Sequence, residues 1–317
     1  MWVVLFHCQA AGHGSNWLSK HGNNGVAIFF ALSGFVIAHS IRDERITFGF
    51  IGRFALRRSI RLDPAYWASI ALFLTFSALA KHSAPSLGQL TANLTYTQLF
   101  FGYPSINDVY WTLCYEVQFY IVLVLCVMGA QRFGGAFYAA PFVAAVLWGT
   151  GVLSNPPGLF LNLWHCFFLG ALAYWGMTNK IALLAFGLLG SIILLSSPNV
   201  FTVICLAASA GLLIAGKTGL TERGRSLAFL GTISYSLYLI HNPVAGASFF
   251  LLGDHWFALP ITILVCLIAA TTFWWAIERP TQRLAKRISV SCGPSPVSAS
   301  RLPLGSIRSS RLGSASG

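Results

Sequence analysis

Six ionisable side chains stand out because they fall within or beside long apolar runs: His7, His39, Glu116, His165, His241 and Glu278. A charge in such a run is costly, so each is expected to be paired or put to use. Glu116 lies two turns into Trp111-Thr112-Leu113-Cys114-Tyr115-Glu116-Val117-Gln118-Phe119-Tyr120. On a helix, Thr112, Glu116 and Tyr120 share one face, with Phe119 beside them. A carboxylate there can accept a proton, anchor a catalytic histidine or a substrate hydroxyl, or act as a structural counterion to an arginine or histidine of another helix. The residues themselves leave these readings open. His7, in the apolar stub Met1–Cys8, and His241, in Ser234–Pro243, have the side chain for general-base work near neutral pH. Each serves equally well as a hydrogen-bonded structural histidine. His39 and His165 have weaker claims, and Glu278, in Glu278-Arg279-Pro280, reads as locally paired.

A second group is cationic. Arg42, Arg45, Arg53, Arg57, Arg58 and Arg61 lie between the apolar runs Gly25–Ala38 and Ala65–Ala80. On a helix, Arg53, Arg57 and Arg61 repeat at i, i+4, with Arg58 three positions before Arg61. Asp63-Pro64 is expected to end that helix, because the residue before proline is pushed out of helical geometry. Such a ledge fixes orientation and meets lipid headgroups, or it clamps an anion, since guanidinium forks match phosphate oxygens two at a time. The glycines of Gly22–Gly34 form no phosphate loop and no GxGxxG is present, so a nucleotide-binding fold is not indicated.

The elements that must position these groups are membrane helices. The 317 residues are 56% hydrophobic and 9% charged, with mean hydropathy +0.69, against about 25% charged in soluble domains. The apolar runs give about ten spans: Met1–Cys8 as an incomplete first one, then Gly25–Ile41, Ala65–Ala80, Val109–Gly129, Phe137–Val152, Leu159–Gly176, Ile181–Leu195, Val200–Ala215, Leu227–Leu252 and Phe257–Ile277. With the arginine ledge in the cytoplasm and loops alternating, eighteen of the twenty lysines and arginines fall on the cytoplasmic side, and Lys20 and Lys81 on the other. Both termini are then cytoplasmic. The net charge of +12 thus orients the chain in a bilayer rather than marking a nucleic-acid binder. Residues 1–288 read as one membrane domain, and 289–317, rich in Ser, Gly, Pro and Arg, as a disordered cytoplasmic tail. Seven scattered cysteines show neither a disulfide framework nor metal-ligand spacing.

Taken together, six stretches in order resemble the membrane acyltransferase 3 family, which transfers acyl groups, often acetyl, from coenzyme A to sugars and other small molecules. They are Val3–His7, Gly25–Phe35, Arg57–Trp67, Trp111–Tyr120, Ser234–Pro243 and Glu278–Pro280. The resemblance implies an all-α polytopic enzyme of the inner membrane, acyl-coenzyme A (acetyl-CoA) as co-substrate without a metal, and a carbohydrate or cell-envelope glycan as acceptor. By position, His7 matches the family's essential histidine, the base for the acceptor hydroxyl. Arg58 and Arg61 match its Arg-x-x-Arg pair, linked to the acyl donor, with Arg57 beside them. Glu116 and His241 match the glutamate and histidine of its later motifs. The family usually carries an arginine eleven residues before the first histidine, a position before Met1, which implies an N-terminally truncated member. From chemistry alone, Glu116 is expected to orient His7. A transporter of an acylated lipid or glycan, using the same buried ionisable groups as its path, and a non-catalytic membrane remnant stay open as alternatives.

Overall fold

The computed structural model describes residues 24–42, 44–134, 136–219, 225–253 and 255–288, together with Val3. Every regular element among them is helical. Helix α1 (Asn24–Ser40) is followed by α2 (Phe48–Leu79), a short α3 (Leu87–Leu94) that the hydropathy pattern did not announce, and α4 (Trp111–Phe133). Next come α5 (Ala136–Gly149), one 3-10 turn (Leu161–Leu163), α6 (Trp164–Trp175), α7 (Lys180–Ser196) and α8 (Val200–Thr218). The chain closes with α9 (Arg225–Leu252), α10 (Ala258–Phe273), a π turn (Trp274–Glu278) and α11 (Arg279–Lys286). Among the described residues, four helical stretches are long and apolar enough to cross a membrane: Phe48–Leu79, Trp111–Phe133, Val200–Thr218 and Ala258–Lys286. Large apolar side chains such as Leu184, Leu188, Leu264 and Ile268 face outward, as expected where lipid rather than water is the neighbour. The protein is an all-helical membrane protein.

Helix starts follow local chemistry. Thr47, Ser86, Asn179 and Asn199 each accept a backbone N–H of the first turn of α2, α3, α7 and α8, from Phe50, Gln89, Ile181 and Thr202 respectively, satisfying donors that a helix end leaves orphaned. One sequence expectation is corrected here. Helix α2 does not stop at Asp63-Pro64; it continues for 32 residues with Pro64 inside it. The carboxylate of Asp63 accepts from the hydroxyl of Ser59, one turn earlier, and from Tyr96 of the following loop. These side-chain contacts hold the pre-proline residue in helical geometry against its intrinsic bias. Arg53, Arg57, Arg58 and Arg61 and the apolar half of α2 therefore belong to one rod about 48 Å long at 1.5 Å per residue, while Arg42 and Arg45 precede it.

Two buried clusters divide the molecule. One draws on α1, the second half of α4, and α5 to α8. The other joins the second half of α2, the segment before α4, α9 and α10. The first is closed by an unusually tight crossing of α1 with α6. A Cβ placed on Gly34 would lie 1.8 Å from Phe167 O, and one on Gly170 would lie 2.0 Å from Ala31 O. Each helix thus needs the other's glycine, the small-residue packing common between membrane helices. Gly34→Ala is expected to destabilise the protein at the upper end of the roughly 1–3 kcal/mol typical of overpacking, because the obstacle is backbone. Gly187→Ala, which meets nothing within 4 Å, is expected to be neutral or slightly stabilising. Thermal melts in detergent should separate the two variants.

Candidate active site

Between the two clusters, α2 and α4 run antiparallel and enclose a cavity of about 290 Å³. Ile51, Phe54 and Ala55 of α2 and Ile121, Val124 and Leu125 of α4 line it with apolar groups. Arg58, Glu116 and Tyr120 also line it, as do Asp63, Tyr96 and Tyr235.

At its centre, Arg58 Nη2 donates to the Tyr120 hydroxyl at 2.5 Å and lies 3.8 Å from Glu116 Oε1. The guanidinium sits over the Tyr120 ring, 4.3 Å from its centroid. Ser33 Oγ donates to the same Glu116 oxygen at 2.8 Å. Ser33 immediately precedes Gly34, so the close α1–α6 crossing and the Ser33–Glu116 bond depend on one short stretch of α1. Glu116 is 7% exposed. A carboxylate that buried is tolerable only because a cation and a hydroxyl meet it.

A second polar line leads from α4 to α9. Thr112, one turn before Glu116, hydrogen-bonds the Tyr238 hydroxyl, and that hydroxyl also donates to Val109 O at 2.7 Å. The Tyr238 ring stacks on Phe29 of α1 at 5.7 Å. His241, three residues on, is fully buried. Its Nδ1 lies 3.1 Å from Leu237 O and 2.8 Å from Tyr238 O. A ring nitrogen facing carbonyl oxygens carries the proton, so in the neutral form Nε2 is the basic nitrogen. Beside it, Asn242 Nδ2 donates to Asn107 Oδ1 at 2.7 Å. Tyr238→Phe removes a hydroxyl that serves Thr112 of α4 and Val109 O just before that helix. It is expected to lower acyl transfer roughly 5- to 30-fold, corresponding to about 1–2 kcal/mol for the lost bonds. Steady-state kinetics against Tyr238→Trp, which also disturbs packing, would separate the hydroxyl from the ring.

The sequence-predicted residues are thus partly assembled. Arg58 and Glu116 meet, and His241 is tied to the face of Glu116 through Tyr238 and Thr112. Arg57 and Arg61 are exposed and do not line the cavity, although Arg61 lies in the electrostatic field of both Glu278 and Glu116. His7, and with it the expected His7–Glu116 pairing, lies outside the described residues. His39 meets the Tyr174 hydroxyl through Nδ1 at 3.2 Å, and His165 Nε2 lies 3.2 Å from Cys166 Sγ. Neither lines the cavity. Glu278 accepts from Gln282 at 2.7 Å, the local partner expected, and also from Ser236 of α9 at 2.5 Å. Sequence reasoning passed over Ser33, Asp63, Tyr96, Tyr235 and Tyr238 as site residues. The available signals were the polar Ser33 inside an apolar run and the i, i+3 spacing of Tyr235, Tyr238 and His241.

A helical membrane protein with an ion pair buried in a cavity between two bundles has the makings of a membrane-embedded enzyme. The chain belongs to the Acyl_transf_3 family, whose acyltransferase-domain model matches residues 1–279, and it is a membrane O-acyltransferase. It is 26% identical to acyltransferase MdmB of Streptomyces mycarofaciens, over 92% of this chain and 89% of that protein. It is 24% identical to nodulation protein 10 of Rhizobium leguminosarum bv. viciae, over 84% and 85% respectively. No solved structure matches the chain.

Proposed function

We propose that the protein takes the acyl group of an acyl-coenzyme A, presented from the cytoplasm, and transfers it to a hydroxyl of a carbohydrate acceptor within the cavity between α2 and α4. The observation that carries this reading is the meeting of Arg58, Glu116, Tyr120 and Ser33, contributed by three helices, inside a largely apolar cavity. A charged cluster in a dry setting acts on a polar reaction more strongly than the same groups would in water.

In this scheme the exposed Arg57 and Arg61 meet the donor's phosphates, and the thioester enters along the apolar walls. Arg58 faces the thioester carbonyl and stabilises the negative charge that develops on its oxygen. The acceptor oxygen attacks the carbonyl carbon while a base takes its proton, the C–S bond breaks, and the thiolate leaves with a proton. His7 is the base by family position, with Glu116 holding the charge balance beside Arg58. His241, its Nδ1–H fixed by helix carbonyls, offers Nε2 as a second acceptor of protons. In this reading the chain crosses the inner membrane about ten times with both termini in the cytoplasm, a topology that the charge bias of its loops supports.

Liposomes holding the protein should transfer labelled acyl groups from acyl-coenzyme A to an added glycan; release of coenzyme A without an ester product in the glycan fraction would end this reading. Cysteines replacing Lys81 and Lys217 are expected to react with an impermeant thiol reagent from opposite sides. Reaction from the same side would break the ten-span topology.

A further inference from the structure

The cavity contains two carboxylates and only one is answered by a cation. Glu116 faces Arg58. Asp63, at the end away from Ile51 and Leu125, accepts from the Ser59 hydroxyl through one oxygen and from the Tyr96 hydroxyl at 3.0 Å through the other. Among the described residues no lysine, arginine or histidine forms an ion pair with it. Neutral hydroxyl donors hold a carboxylate in place without cancelling its charge, so this end of the cavity keeps a negative potential enclosed by apolar walls.

The surroundings of Asp63 are aromatic. Tyr96 and Tyr235 line the cavity with it. Tyr96 is held there at a conformational cost: its φ is 59°, a left-handed backbone that bulky residues avoid and that persists only where neighbours impose it. Those neighbours are visible. The Tyr96 ring stacks on Tyr66 with centroids 4.5 Å apart, and the Tyr66 hydroxyl is fixed on Asn93 O at 2.8 Å. Tyr235 is tied by its hydroxyl to Leu62 O at 3.3 Å. A carboxylate flanked by aromatic side chains recognises an ammonium group, by charge and by the negative faces of the rings. It repels phosphate, which keeps the coenzyme's phosphates outside the cavity, on the exposed Arg57 and Arg61.

Building on the reading of this cavity as the acyl-transfer site, we infer that Asp63, Tyr96 and Tyr235 bind the acceptor, and that the acceptor carries a protonated amine near the hydroxyl that is acylated: an amino sugar or amino alcohol. A neutral sugar would displace water from the half-buried Asp63 carboxylate without supplying a compensating charge.

The test uses the full chain in liposomes, acyl-coenzyme A, and two methyl glycosides that differ only in bearing a dimethylamino group or a hydroxyl at one ring position. A tertiary amine forms no stable amide, so the product scored is the ester. The wild-type protein is expected to favour the amine-bearing glycoside by 10- to 100-fold in kcat/KM, as for a charge-assisted contact. Asp63→Asn should erase that preference, chiefly through the KM of the amine-bearing acceptor, with the Kd for coenzyme A unmoved; Asp63→Glu should retain part of the preference. Equal use of the two glycosides by the wild type, a preference that survives Asp63→Asn, or an equal loss for both glycosides in that variant would each overturn the inference. Failure of the underlying site is a different result: coenzyme A binding that ignores Arg58→Ala and Arg61→Ala together.

Discussion

Arg58→Ala is expected to lower acyl transfer by 10²- to 10³-fold, the usual effect of removing one preorganised donor from a developing oxyanion. The same change strips Glu116 of its cation and leaves a 7% exposed carboxylate with only Ser33 as partner. A loss of stability of up to about 3–5 kcal/mol should accompany it, the cost of breaking a buried pair from one side. Arg58 is itself 18% exposed in its side chain and 3.8 Å from the carboxylate, which places the expected loss at the lower end. The two effects are separable. Arg58→Lys keeps a positive charge near Glu116 and should recover most of the stability. It cannot reproduce the planar guanidinium that lies over the Tyr120 ring while its Nη2 meets both Tyr120 and Glu116, so transfer should stay well below that of the wild type. Arg61→Ala, on an exposed side chain, should cost only about 10-fold, and in donor KM rather than kcat. Full transfer by Arg58→Ala at normal membrane abundance would remove Arg58 from the chemistry.

Glu116→Gln should cost 10²-fold or more in kcat, within the range for loss of a positioned acid–base group, while changing the fold little. The amide is nearly isosteric and can still meet Ser33 and Arg58; what it lacks is the charge. Replacing both partners by apolar residues, Arg58→Met with Glu116→Met, is expected to restore most of the stability lost in either single variant, because neither charge is then stranded. Activity should not return with it. If Glu116→Gln transfers acyl groups as well as the wild type, the carboxylate is a structural counterion and nothing more.

Much of the architecture was legible before any coordinates. The long apolar runs read as membrane helices; described helices coincide with all but the first run, of which only Val3 is described, and four helical stretches are long and apolar enough to cross a membrane. The face shared by Thr112, Glu116 and Tyr120 followed from helical periodicity, and the structure turns that face to Arg58 and Tyr238. The misreading at Asp63-Pro64 has a physical cause. A local rule about the pre-proline residue was applied without the contacts from Ser59 and Tyr96, and the second of these comes from a loop 33 residues away. The same blindness hid Asp63 as a cavity residue, since nothing in its neighbourhood along the chain says that Tyr96 and Tyr235 will close around it. It also merged Arg57, Arg58 and Arg61 into one ledge. They are adjacent in sequence, but the 100° turn per residue sends Arg58 into the cavity and leaves the other two exposed. Spacing shows which side chains share a face; only packing shows what that face meets.

The central claim is that the acyl donor is used in the cavity between α2 and α4. The most direct measurement is photolabelling with an acyl-coenzyme A that carries a diazirine on its acyl chain, applied to the protein in liposomes and mapped by peptide sequencing. The account predicts adducts on the cavity walls, at Phe54, Leu62, Leu113, Val117 and Ile121, competed away by unlabelled donor and sharply reduced in Arg58→Ala. Adducts confined to the exposed faces of α7 and α8, or labelling of the cavity that unlabelled donor does not compete, would contradict it.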